Sequence, residues 1–89
     1  MLNDKSAHYC RVCGHYNEDF SWGREEATPS FNICDCCGTE FGYHDFTIKG
    51  IRRRREIWLK QASEWNNVSA KPKVWDLERQ IKNIPKQFL

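Results

Sequence analysis

Five cysteines are the residues whose type and spacing could do chemistry in this chain, and four of them repeat one pattern. Cys10-Arg11-Val12-Cys13-Gly14 and Cys34-Asp35-Cys36-Cys37-Gly38 each place two cysteines three positions apart with a glycine directly after, and twenty residues separate the pairs. Two C-x2-C pairs at this distance have the spacing of a four-thiolate zinc site. The two thiolates of a pair converge on one ion, backbone N–H groups can point at the sulfurs, and the glycine can take the left-handed conformation that completes the turn. The expected ligands are Cys10, Cys13, Cys34 and Cys37, and the expected cofactor is one structural Zn2+. Cys36 could also pair with Cys34, but only Cys37 leaves two residues between and a glycine behind. Cys36 then sits beside the site, either as a small spectator side chain or as a redox-sensitive thiol.

A shell filled by four thiolates keeps no position open for water, so catalysis at the metal is not expected. His8, His15 and His44 are each able to replace a thiolate; with four well-spaced cysteines present they read as packing or surface residues. Glu40, His44 and Asp45 have acid and base side chains, yet no nucleophile and no glycine-rich phosphate loop accompanies them. The chain is therefore not read as an enzyme, and no small-molecule substrate is evident.

The elements that must position the cysteines are short. In residues 16–22, Tyr16, Phe20 and Trp22 alternate with polar residues, and Phe31 and Ile33 alternate with Ser30 and Asn32. Both stretches read as strands, each attached to one cysteine turn, joined by a polar loop over 23–29. Two such strands make the usual zinc-ribbon arrangement, which is marginal without its metal. Phe41, Tyr43 and Phe46 are expected to cover the ribbon and to form the joint with the second half.

The string Ile33-Cys34-Asp35-Cys36-Cys37-Gly38-Thr39-Glu40-Phe41-Gly42-Tyr43, taken with Tyr9-Cys10-Arg11-Val12-Cys13-Gly14, resembles the small bacterial cysteine-rich zinc-ribbon proteins called the CPCC family. The resemblance covers about residues 9–46. Arg11-Val12 stands where that family has Pro-Cys, the adjacent cysteines fall in the second turn rather than the first, and Phe41-Gly42 replaces a Trp-Glu-Asp pattern. What the resemblance implies is a metal-stabilised small domain without established activity, in some relatives an accessory or immunity-like protein.

From Thr47 the apolar spacing becomes helical. Ile48, Ile51, Trp58, Ala62 and Trp65 share a face, with Asp45 or Thr47 as N-cap, which predicts a helix over about 48–65. A linker over 68–71 precedes Pro72, and Val74, Trp75, Leu77, Ile81 and Ile84 predict a second helix over about 73–84, stopped by Pro85. Trp58, Trp65 and Trp75 are the expected apolar cluster between helices and ribbon.

Charge divides along the same line. Residues 1–46 carry three basic side chains against eight acidic, a net of −5, and residues 47–89 carry eleven against four, a net of +7. The asymmetry fits either an anionic partner for the second half or attraction between the halves. Arg52-Arg53-Arg54-Arg55 is the obvious candidate for nucleic acid, with Lys49, Arg52, Arg53 and Arg55 as candidate contacts. Four consecutive helical arginines point around more than a full turn, however, and arginine also suits carboxylate pairing.

The 89 residues, 39% hydrophobic with a mean hydropathy of −0.81, bound a single α+β domain with a thin core. The expectation is a zinc-ribbon half over 8–46, two to three antiparallel strands, with a helical half over 47–89 packed on it. No apolar run is long enough to span a bilayer, and residues 1–4 lack the character of a signal peptide, so a cytoplasmic location is expected, where five cysteines favour metal over disulfides. The leading functional expectation is a non-enzymatic zinc-stabilised protein-interaction module of bacterial type. Nucleic-acid binding through the arginine helix and thiol redox or metal handling through Cys36 are the alternatives.

Overall fold

The computed structural model describes residues 7–18, 20–23, 28–61 and 64–89. Residues 1–4, most of the expected polar loop over 23–29 and Ala62 of the expected first helix lie outside them.

Each cysteine pair closes a turn of the same design. In the first, the Cys10 N–H donates to the His15 carbonyl at 2.9 Å and the Gly14 N–H to the Cys10 carbonyl at 2.9 Å; in the second, the Cys34 N–H donates to Thr39 at 2.8 Å and the Gly38 N–H to Cys34 at 3.0 Å. Gly14 and Gly38 take φ of 80° and 77°, the left-handed conformation that glycine adopts without strain. One antiparallel bridge flanks each turn, Tyr9 with Tyr16 and Ile33 with Glu40. These two units are referred to below as the first and second knuckle.

The expected antiparallel strands do not form. Among the described residues pairing stops at the two isolated bridges, which overturns the zinc-ribbon fold class. The physical reason lies in what the alternating aromatics do instead. Phe20 packs on the His8 ring at 4.4 Å, and the buried Trp22 donates its indole N–H to Asp45 at 2.8 Å. Phe31 sits at φ 60°, a backbone that a bulky residue rarely adopts and that cannot continue an extended run into Ile33. The alternation thus reflects separate local contacts rather than one face of a ladder.

Helix α1 spans Ile48–Lys60, with Thr47 as N-cap accepting from the Gly50 N–H at 3.0 Å. Asp45, the other expected cap, is buried and accepts from the Trp22 indole and, at 2.7 Å, from the Gly42 N–H. The helix is shorter than expected. Gln61 closes it by donating to Ile57 and Trp58, and the Trp58 indole N–H donates to the Glu64 carbonyl at 3.1 Å, so Trp65 enters the core from irregular chain.

Helix α2 spans only Leu77–Ile81, not 73–84. Asp76 fixes its start by accepting from the N–H groups of Glu78 and Arg79, which is stronger N-terminal punctuation than Pro72. Val74, expected on the apolar face, is 93% exposed. After Pro85 a 3-10 turn over Lys86–Phe88 packs against α1. The second half is therefore one long and one short helix joined by turns, with no sheet among the described residues for them to pack on.

The core is built around sulfur. All five cysteines are buried, together with Val12, Phe41, Ile51, Trp58 and Trp65, and Trp75, Leu77 and Phe88 pack against them. Ile51 and Trp58, two turns apart on α1, are its buried face, and burial of each such side chain contributes roughly 1.5–3 kcal/mol. Trp65 meets Trp75 edge to face at 5.5 Å, so the expected tryptophan cluster exists. Phe41 is buried as expected, but Tyr43 and Phe46 are each 70% exposed and do not form the joint. No helix among the described residues is long and apolar enough to cross a membrane.

Candidate metal centre

The two knuckles face each other through their cysteines. The Sγ atoms of Cys10, Cys13, Cys34 and Cys37 all lie within 4.8 Å of one another, with Cys10 to Cys37 at 3.6 Å and Cys13 to Cys34 at 3.7 Å. A tetrahedral ion with metal–sulfur bonds of about 2.3 Å requires sulfurs about 3.8 Å apart. Both close pairs join one knuckle to the other and neither is a disulfide, whose sulfurs would be about 2.05 Å apart. The quartet named from spacing is brought together and could hold a metal ion.

The protonation pattern of the quartet shows what a cation would change. Burial pushes the Cys10 and Cys13 thiols well above their ordinary range. Cys34 is held lower, chiefly because Cys10 and Cys13 donate to it. Burial opposes ionisation of Cys37, but donation from Cys10, Cys13, Cys34 and the Thr39 hydroxyl outweighs it and holds Cys37 well below. Thr39 sits 2.9 Å from the Cys37 sulfur. Four buried thiols thus share protons between the knuckles, and a divalent cation would replace those protons as the link.

Several residues that the spacing did not reveal hold the knuckles in register. Arg55 reaches from α1 to the first knuckle, donating to Val12 at 2.7 Å and Arg11 at 2.8 Å, and on to the Phe88 carbonyl at 2.6 Å. Its neighbour Arg54 donates to the Cys37 carbonyl of the second knuckle at 3.0 Å. Gln80 of α2 donates to the Cys13 carbonyl at 3.1 Å and to the Cys36 sulfur at 3.2 Å, while its own carbonyl oxygen Oε1 accepts from the Trp75 indole. The Asn66 and Asn67 N–H groups donate to Cys36 and Asp35. Arg11 lies buried between the Trp22 and Phe88 rings, 4.1 and 4.2 Å from their centroids. Only Thr39, a hydroxyl two residues past the last cysteine, carried a local sequence signal; the others act across long separations.

The remaining candidates fall elsewhere. Cys36 is fully buried and outside the quartet. His8 donates to the Asn17 carbonyl, His15 packs edge-on to Trp65 and His44 accepts from the Glu40 N–H, so none joins the cysteines. Of the four residues expected to touch nucleic acid or an acidic partner, Lys49, Arg52 and Arg53 are exposed on the outer side of α1, with the Arg52 Nε donating to the Leu89 carbonyl, whereas Arg55 turns inward. Arg55 stays charged although burial lowers its pKa. No family model matches the chain, and neither does a curated protein or a solved structure.

Proposed function

We propose that the chain is a zinc-stabilised protein-interaction module without catalytic activity. The observation that carries this reading is the convergence of four buried thiols, two from each knuckle, all within 4.8 Å of one another and with both cross-knuckle pairs close to the roughly 3.8 Å of a tetrahedral site. A soft four-sulfur set of that geometry suits zinc or iron, and zinc is the ion that structural sites of this kind take. With all four positions filled from the protein, the ion's part is to fix the two knuckles against each other.

The surface beside the knuckles supports a role in binding. Phe31 and Tyr43 are 62% and 70% exposed, and the Phe31 ring lies so close over Gly42 that a side chain there would meet it at 2.9 Å. An aromatic held on the surface by a left-handed backbone carries strain of roughly 1–3 kcal/mol and points to use.

Metal analysis of protein purified without added metal is expected to give one zinc per chain; iron or less than half an equivalent of zinc would overturn the zinc assignment. The Phe31→Ser, Tyr43→Ser double variant is expected to keep its zinc and to lose the protein that the wild type captures from its native cell. Retained capture would remove this surface from the proposal. Binding of nucleic acid through Lys49, Arg52 and Arg53 would show instead as an affinity that falls steeply with salt.

A further inference from the structure

The outer edges of the two knuckles carry main-chain groups with no partner. In an antiparallel pair the bonds alternate, so a residue lying between two bonded neighbours turns its own N–H and C=O away from its partner strand. Tyr16 is such a residue: the bonds on either side of its bridge run from Cys10 to His15 and from Asn17 to His8. Ile33 is its counterpart, flanked by the bonds from Cys34 to Thr39 and from Phe41 to Asn32. The backbone N–H and C=O of Tyr16 and of Ile33 make no hydrogen bond. Both residues line the same groove, which runs between the knuckles with a volume of about 550 Å³.

The groove has a definite charge. Among the described residues its lining includes Glu18 and Asp35 and no lysine or arginine, with His15 and Tyr16 as the other titratable groups. Tyr16 and Ile33 are about half exposed and offer apolar contact beside the free backbone, while Phe41 lies buried at its base. Free main-chain groups on both knuckles along one groove suit an extended chain, because successive residues of a strand direct their N–H and C=O to alternate sides.

We propose that this groove takes an extended segment of a partner protein bearing lysine or arginine, paired main chain to main chain with Tyr16 on one wall and Ile33 on the other. The segment completes the strand pairing that the knuckles begin, and its cations meet Glu18 and Asp35. The metal's part is to fix the two knuckles that line the groove against each other. This deepens the interaction-module reading and rests on it.

The test is to pan a random octapeptide display library on metal-loaded protein. The expected outcome is enrichment of sequences with lysine or arginine and no internal proline. In an enriched peptide, N-methylation at the amides that pair with the walls should weaken binding at least tenfold, and methylation at the amides between them should weaken it much less. The Glu18→Lys, Asp35→Lys double variant should keep its metal and bind the same peptide at least tenfold more weakly. Enrichment of acidic or proline-rich sequences, indifference to N-methylation at every position, or occupation of the groove by a second copy of the chain would each overturn the proposal. No enrichment at all would do the same. If the charge-reversed variant still captures the cellular partner that the Phe31, Tyr43 variant loses, the groove inference falls while the interaction-module reading stands.

Discussion

The two knuckles have the same backbone, the same glycine conformation and the same single bridge, yet the chain supports them differently. The first is enclosed. Arg55 ties its turn to α1 and to the C-terminal segment, and α2 lies directly over Gly14, so that a Cβ there would come 2.3 Å from the Gln80 main-chain oxygen. The second is held by one Arg54 bond, by the Asn66 and Asn67 amides and by the Gln80 amide on the Cys36 sulfur, and Gly38 faces only side-chain atoms of Arg54 and Asn66 at 3.3–3.5 Å. Identical local motifs can therefore differ in tolerance because the surroundings, not the motif, decide what a change must displace.

The largest expected effect is one in which the two knuckles should behave alike. Each contributes two thiols to one cluster, so Cys13→Ser and Cys34→Ser should each abolish stoichiometric metal binding. A strong chelator should collapse amide dispersion in both knuckles together, since metal binding of this kind contributes on the order of 10–16 kcal/mol of apparent free energy. Acidification acts the same way, because protons compete for the thiolates and release the ion as pH falls. A chelated protein in which one knuckle keeps its dispersed amide signals would break the equivalence.

Substitution of the two glycines should then separate them. Gly38→Ala carries mainly the left-handed backbone cost of about 1–2 kcal/mol, since the Arg54 and Asn66 side chains can move aside. Gly14→Ala adds a collision with main chain and should total about 3–5 kcal/mol. Urea unfolding of the metal-loaded variants measures the difference, and equal losses would refute the contrast in enclosure.

The arginines sharpen the same contrast at smaller scale. Arg55→Met removes three charge-assisted bonds from a half-buried group and should cost about 2–3 kcal/mol, with Arg54→Met nearer about 1 kcal/mol. Arg53→Met, on the exposed side of α1, should stay within about 0.5 kcal/mol. Losses in the order Arg53, Arg54, Arg55 are expected by thermal unfolding; a dominant effect at Arg53 would contradict the inward role of the other two.

These pairs also show what the sequence made legible. The convergence of the cysteine quartet, the left-handed glycines and Thr47 as one of the two expected caps were legible from residue type and spacing. The inward turn of Arg54 and Arg55 was legible in part, because three and four positions after Ile51 both fall on the face of α1 that Ile51 and Trp58 bury; the carbonyls they satisfy, 17, 33 and more than 40 residues away, were not. The strands failed for a related reason. Tyr16, Phe20 and Trp22 alternate as a half-buried strand would, but His8 and Asp45 claim Phe20 and Trp22 from outside the stretch. For α2 the signal was present in Asp76 and was masked by Pro72 and the apolar spacing from Val74 onward.

A further small effect concerns the fifth cysteine, and it follows from aligning the knuckles on each other. Cys36 occupies in the second the position that Val12 occupies in the first, and both side chains are fully buried. Its sulfur then serves as core volume, with the Gln80 amide as an added donor that also bonds to the Cys13 carbonyl. Cys36→Val makes the second knuckle resemble the first, and it should leave one metal ion per chain and lower stability by no more than about 1–1.5 kcal/mol. Cys37→Val, one position on, should lose the metal altogether. Equal metal loss in the two variants would mean that the second knuckle uses its adjacent sulfurs interchangeably, and that its likeness to the first ends at the backbone.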